Sequence, residues 1–245
     1  MNNSVSHGLL WVCALFVFFS NIDPAHAYNK VASPDVTQGL FSLEYRVGRD
    51  FDDKAKMNDQ DLDRFVASYG VTDRWKTALS LTYAGPDNNL TQTYIGWTNE
   101  YQFVKGEDAW CRFALQESYW FSLVPGQPDK MRAKVVAAKN IGLFSNYLNI
   151  NFQNSANPYR NADLDPGIAW KTKYMYMPEF APGFEFYADF GKLDAHTPLS
   201  QDKYQIGPMI SGQVGKNVKY DFGYLFGVSE AAPDGRIKLI LTYAF

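Results

Sequence analysis

The sequence predicts an all-β protein, a single closed antiparallel transmembrane β-barrel of about twelve strands. Three observations carry that prediction. Residues 236–245 alternate strictly, with Ile237, Leu239, Leu241, Tyr243 and Phe245 on one face and Arg236, Lys238, Ile240, Thr242 and Ala244 on the other. A period of two over about ten residues is what a strand needs to cross a bilayer. Similar short alternating segments, separated by clusters of Gly, Pro, Asn and Asp, recur along the chain, and no helix-period stretch of any length interrupts them. The face opposite the apolar one repeatedly carries Lys, Arg, Glu, Asp, Gly and Ser, which suits a wet interior.

The elements follow in order. Residues 9–20 form a short apolar run, followed by Pro24 and an Ala25-His26-Ala27 cleavage pattern, so 1–27 is expected to be a signal peptide. Residues 1–8 contain no Lys or Arg, a departure from the usual signal, but the run is shorter than the ~20 residues of a membrane helix. Residues 28–39 are expected to form an N-terminal periplasmic segment, and 40–245 the barrel. Strands are expected at 41–47, 62–69, 75–83, 93–103, 110–121, 130–138, 145–152, 168–176, 184–191, 204–214, 218–226 and 236–245. An even number puts both termini on the periplasmic side. The even connections are then periplasmic and mostly tight (70–74, 104–108, 140–142, 215–217), with the Pro-containing 177–183 longer. The odd ones include longer polar stretches at 50–61, 154–166 and 194–202.

Aromatic residues make up 16% of the chain and gather near strand ends (Tyr69, Trp75, Tyr83), as interfacial belts require. Glu117 and Asn99 break the pattern by sharing parity with lipid-facing neighbours. A charge at mid-bilayer costs on the order of 2–4 kcal/mol, so a bulge, a shifted register or a local partner is expected there. A secreted sandwich or lipocalin-like barrel also alternates, but its closed layers need branched aliphatics where this chain places ions.

Inward parity through the strands gives a lumen with eleven basic side chains: Arg46, Arg64, Lys76, Arg112, Arg132, Lys134, Lys171, Lys173, Lys219, Arg236 and Lys238. Five acidic ones oppose them: Glu44, Glu100, Glu185, Asp189 and Asp221. A cationic wall in a narrow aqueous pore favours anions, and guanidinium groups can grip carboxylates bidentately. The expectation is a passive, anion-leaning, porin-like channel for small solutes. The alternative is a closed structural or surface-interaction barrel, in which pairs such as Glu44 with Arg46 or Asp221 with Lys219 fill the interior.

A lipid- or peptide-modifying barrel enzyme is the third class. His196 is the single histidine after residue 27, in a loop with Asp194 and Ser200, a poor place to fix catalytic geometry. No catalytic residue, cofactor or metal site is assigned. The acidic run Asp50, Asp52, Asp53, Asp59, Asp61 and Asp63 matches no EF-hand spacing. Cys111 is the one cysteine outside the expected signal, which excludes an intramolecular disulfide. A net charge of −3 without a basic cluster argues against nucleic acid.

The ending Tyr243-Ala244-Phe245 resembles the terminal strand of Gram-negative outer-membrane barrels. That resemblance implies an assembly signal at Leu241, Tyr243 and Phe245, read by the barrel assembly machinery, and a bacterial outer-membrane location with lipid and lipopolysaccharide as neighbours. With the mature length and strand count, and segments such as Leu43-Glu44-Tyr45-Arg46 and 189–191, the chain resembles the small monomeric porins of the oligogalacturonate-specific type. This likeness implies a monomer with a narrow basic lumen for small anionic solutes such as acidic sugars. The stretch 69–75 is similar to a strand–turn–strand signature of many uncharacterised proteobacterial barrels.

Overall fold

A computed structural model describes residues 30–54, 60–86, 89–106, 109–156, 164–191 and 202–245. Twelve strands follow one another: β1 (Phe41–Phe51), β2 (Gln60–Gly70), β3 (Trp75–Pro86), β4 (Thr91–Val104), β5 (Arg112–Ser122), β6 (Asp129–Ile141), β7 (Phe144–Ala156), β8 (Leu164–Tyr174), β9 (Ala181–Asp189), β10 (Lys203–Val214), β11 (Val218–Gly227) and β12 (Gly235–Ala244). Each pairs antiparallel with its sequence neighbours, and β1 pairs with β12, so the sheet closes into a barrel without edges. The backbone amide of Phe245 completes the seam by donating to the Phe41 carbonyl at 2.9 Å.

All twelve expected strands are present, several of them longer than the alternation alone indicates. β1 runs on through Asp50 because its loop-side end pairs with β2: Arg49 donates to both carboxylate oxygens of Asp61, at 2.7 and 3.0 Å. β9 begins at Ala181 rather than 184 despite Pro182, which shortens the Pro-containing connection to 175–180.

The outer face is apolar: Leu43, Phe65, Leu79, Trp97, Met131, Phe184 and Phe222 are all exposed. At the short-turn end, aromatic rings meet in pairs, Phe41 with Phe245 at 5.3 Å and Phe144 with Tyr174 at 5.2 Å. At the loop end Tyr119 meets Phe121 at 4.5 Å and Tyr224 meets Phe226 at 4.8 Å. Two belts bounding an apolar band are the dimensions of a membrane-spanning barrel. Glu117 and Asn99 do face outward, directly opposite each other across β4 and β5 with no local slip. Trp75 Nε1 donates to Asn99 Oδ1 at 3.1 Å, a local partner for the amide. The two register shifts lie elsewhere, between Thr82 and Tyr83 and between Gln102 and Val104.

The described part of the expected periplasmic segment is not outside the barrel, and this corrects the sequence reading. The chain leaves β1 at its short-turn end, reverses at Gly39, whose φ of 76° favours glycine, and runs back into the lumen. Val31, Ala32, Pro34 and Val36 are buried there. Val31 packs against Ala169, Tyr187 and Leu225, and Ala32 against Ala114 and Val136. Inward-facing small and apolar residues on five strands thus form a receptor for the segment, here called the strap.

Candidate functional site

The interior holds many buried polar side chains beside apolar ones such as Leu62, Met209 and Ile240, and each sequence-predicted lumen residue can be placed. All sixteen lie on strand positions of inward parity, most of them buried or half-buried. They fall into groups. Lys76 pairs with Glu100 at 2.7 Å, and Gln116 donates to the other Glu100 oxygen at 2.7 Å. Lys171 pairs with Asp221 at 3.1 Å and lies 4.0 Å from Glu185, which Lys238 also engages. Tyr187 donates to Glu185 at 3.0 Å. Glu44 binds both Arg46 and Lys30 of the strap. Arg112 pairs with strap residue Asp35 at 2.9 Å.

One pairing considered for the closed alternative is not the one formed. Asp221 pairs with Lys171 across the lumen rather than with its strand neighbour Lys219, which is exposed. Of the acidic run in the first loop, Asp50 is taken by Arg236, Asp61 by Arg49, and Asp63 accepts from Tyr45 at 2.9 Å. Asp59 lies outside the described residues, as do Asp194, His196 and Ser200 and the expected signal peptide. Among the described residues no group of three or more His, Cys, Asp or Glu side chains is placed to hold a metal ion.

Sequence reasoning missed several lumen charges. Asp50, Asp165 and Lys203 sit just beyond the strand ends inferred from alternation, while Lys130 shares parity with Arg132. Lys30 and Asp35 were missed with the strap. Their signal was the apolar set Val31, Ala32 and Val36, matched by inward residues Ala114, Val136, Ala169 and Leu225.

A cavity of about 580 Å³ lies in the lumen beside the strap. Its lining includes Arg46, Arg64, Arg132, Lys134 and Trp120 from β1, β2, β6 and β5, and Lys171, Lys173, Lys219 and Asp221 from β8 and β11. The acids Glu44, Glu100, Glu185, Asp221 and Asp50 each meet at least one base, and the cavity lining carries more basic than acidic side chains. Trp120 orders part of this lining. Its indole lies across Gly96, where a Cβ would stand 2.3 Å from Cδ1, so only glycine admits it. Arg132 stacks at 4.8 Å from the ring centroid and Arg64 at 5.5 Å, a cation–π arrangement that fixes both guanidinium groups. Arg64 also donates to Thr82 at 3.0 Å, and Arg132 to Gln153 at 2.6 Å.

The strap is held as specifically as a strand. Asn149 Oδ1 accepts from the Ala32 amide at 2.6 Å, and Asn149 Nδ2 donates to the Ala32 carbonyl at 3.1 Å. The Val36 amide donates to Gln102 Oε1 at 3.2 Å. At the exit, the Gly39 amide donates to the Gly70 carbonyl at 2.8 Å and the Gly70 amide to the Leu40 carbonyl at 3.0 Å.

No protein-family model and no curated protein matches the chain. Solved structures do resemble it. An outer membrane channel of the COG4313 group from Pseudomonas putida F1 is 10% identical, with a TM-score of 0.64 over 89% of this chain and 100% of that one. A KdgM porin in complex with disordered oligogalacturonate is 12% identical, at 0.61 over 83% and 99%. The NanC porin is 10% identical, at 0.58 over 83% and 98%. The fold is therefore that of small outer-membrane channels, in keeping with the apolar outer band and closed seam.

Proposed function

We propose that the protein is a passive, anion-leaning channel for small solutes of the carboxylate class. The observation that carries this reading is the cationic lining of the cavity. There Arg46, Arg64, Arg132 and Lys134 face the same space, while Glu44, Glu100, Glu185 and Asp221 are engaged by bases. Cations lining a narrow bore raise the local concentration of anions and depress that of cations, and solute then follows its gradient without a cofactor. The likeness to a porin bound to an acidic oligosaccharide supports the same solute class. The purified barrel in a planar bilayer under a KCl gradient is expected to give a reversal potential of the sign set by chloride. Cation preference or absence of current would overturn the reading.

The strap favours a second reading, a closed barrel whose exposed surface does the work. It occupies the bore and, with Leu225 beside it, makes part of the interior apolar. That reading predicts no current, both with and without residues 30–37.

A further inference from the structure

We infer that the lumen contains an oxyanion site for small polycarboxylates, built from Arg46, Arg132 and Lys134 of the wall and completed by Lys30 of the strap. The inference rests on the channel reading above and locates where its selectivity is exercised. On this view the strap is a working part of the selectivity site as well as an obstruction.

Lys134 is the central observation. It projects from the middle of β6, is only 8% exposed, and lines the cavity. Among the described residues it makes no hydrogen bond and no ion pair. Its electrostatic neighbours are Arg132, Arg46 and Lys30, with Glu100 the carboxylate that faces it. Glu100 is already occupied by Lys76 and Gln116. A buried ammonium among like charges is unfavourable unless an anion shares the space. The second observation is Trp120. Its indole Nε1 is buried without an acceptor among the described residues, and Trp120 lines the same cavity. Buried indole N–H groups ordinarily find one.

The donor set matches a carboxylate. A guanidinium presents a fork to two carboxylate oxygens, and an ammonium or an indole N–H adds single bonds. Arg132 is pinned by its stacking on Trp120, and Arg46 by Glu44, so little side-chain freedom is lost on binding. The cavity volume admits a small organic anion. Lys173 and Lys219 line the same cavity, which offers a second acid group a cationic partner.

Lys30 belongs to this site because the strap puts it there. Glu44 joins it to Arg46, and the receptor of Val31 with the Asn149 clamp on Ala32, one and two residues further on, fix the height of the segment. Loss of strap docking therefore removes one cation from the anion's surroundings while it widens the bore.

The test uses the full-length protein in planar bilayers, with citrate added on one side and the half-blocking concentration of the chloride current measured. Heat-modifiable migration on gels checks that each variant is folded. Lys134→Gln and Lys30→Gln are each expected to raise the half-blocking concentration about tenfold, the scale of one charged hydrogen bond. Lys134→Arg should stay within about threefold of wild type. Lys105→Gln, which removes a cation from the exposed pair with Asp73 in a short turn, should match wild type. An anion-selective wild type in which Lys134→Gln and Lys30→Gln are blocked by citrate as wild type is would overturn the site and leave the channel reading intact. A wild type without anion preference or without current would overturn both.

Discussion

Asn149 does for the strap what an adjacent strand would do. Its side-chain amide reproduces both halves of a backbone pair, accepting from Ala32 N–H and donating to Ala32 C=O, in a lumen position that is fully buried. Asn149→Ala removes both bonds and leaves two peptide groups without partners. Each such bond is worth about 0.5–1.5 kcal/mol net, more where a buried group is orphaned. Strap docking should therefore weaken by about 1–3 kcal/mol. The expected readout is a larger or more frequently opening single-channel current than wild type; an unchanged current would mean that Asn149 does not hold the strap in place. Nothing in the local sequence marks this asparagine. It reads as one more inward polar residue of β7, because its partner lies more than a hundred positions away and is not a strand.

At the scale of the element, β5 carries the clearest local conflict. Glu117 stands in mid-strand on the lipid side, and its direct neighbour Asn99 is bonded to Trp75. Replacing the carboxylate by an apolar side chain should relieve a desolvation cost, smaller for Glu than the ~2–4 kcal/mol of a basic residue at mid-bilayer. Glu117→Leu should stabilise the barrel by about 1–2 kcal/mol, measured by denaturant unfolding from lipid vesicles; destabilisation would mean that Glu117 has a partner in the membrane. The strands themselves were legible because lipid on one side and water on the other impose a period of two, as in β12, where Ile237, Leu241 and Tyr243 are exposed and Arg236 and Lys238 buried. Their ends were not, because pairing rather than hydropathy decides them. Arg49 and Asp61 extend β1 and β2 through a salt bridge that alternation cannot register.

For the whole molecule, the same asymmetry explains what the sequence revealed of the site. Parity supplies the lumen's inventory, so Arg46, Arg132 and Lys134 could be named together. It says nothing about which charges cancel, since Lys171 meets Asp221 from across the bore and Glu44 is shared with a residue outside the barrel strands. Nor does it show that the interior is occupied. Removing residues 30–37 should leave a folded, heat-modifiable barrel with at least about twofold larger conductance. It should also be less stable, because Ala114, Val136, Ala169 and Leu225 would be wetted, at roughly 1.5–3 kcal/mol per fully exposed large aliphatic side chain. Unchanged conductance in that variant would show that the narrowest passage is elsewhere.

The seam where the ring is fastened coincides with the root of its stopper. Phe41 receives the final amide of the chain, and Leu40, one residue earlier, is where the strap hangs from the rim. A pull that parts the first strand from the last would also tug on that root, because the wall's fastening and its internal fitting are anchored at adjacent residues.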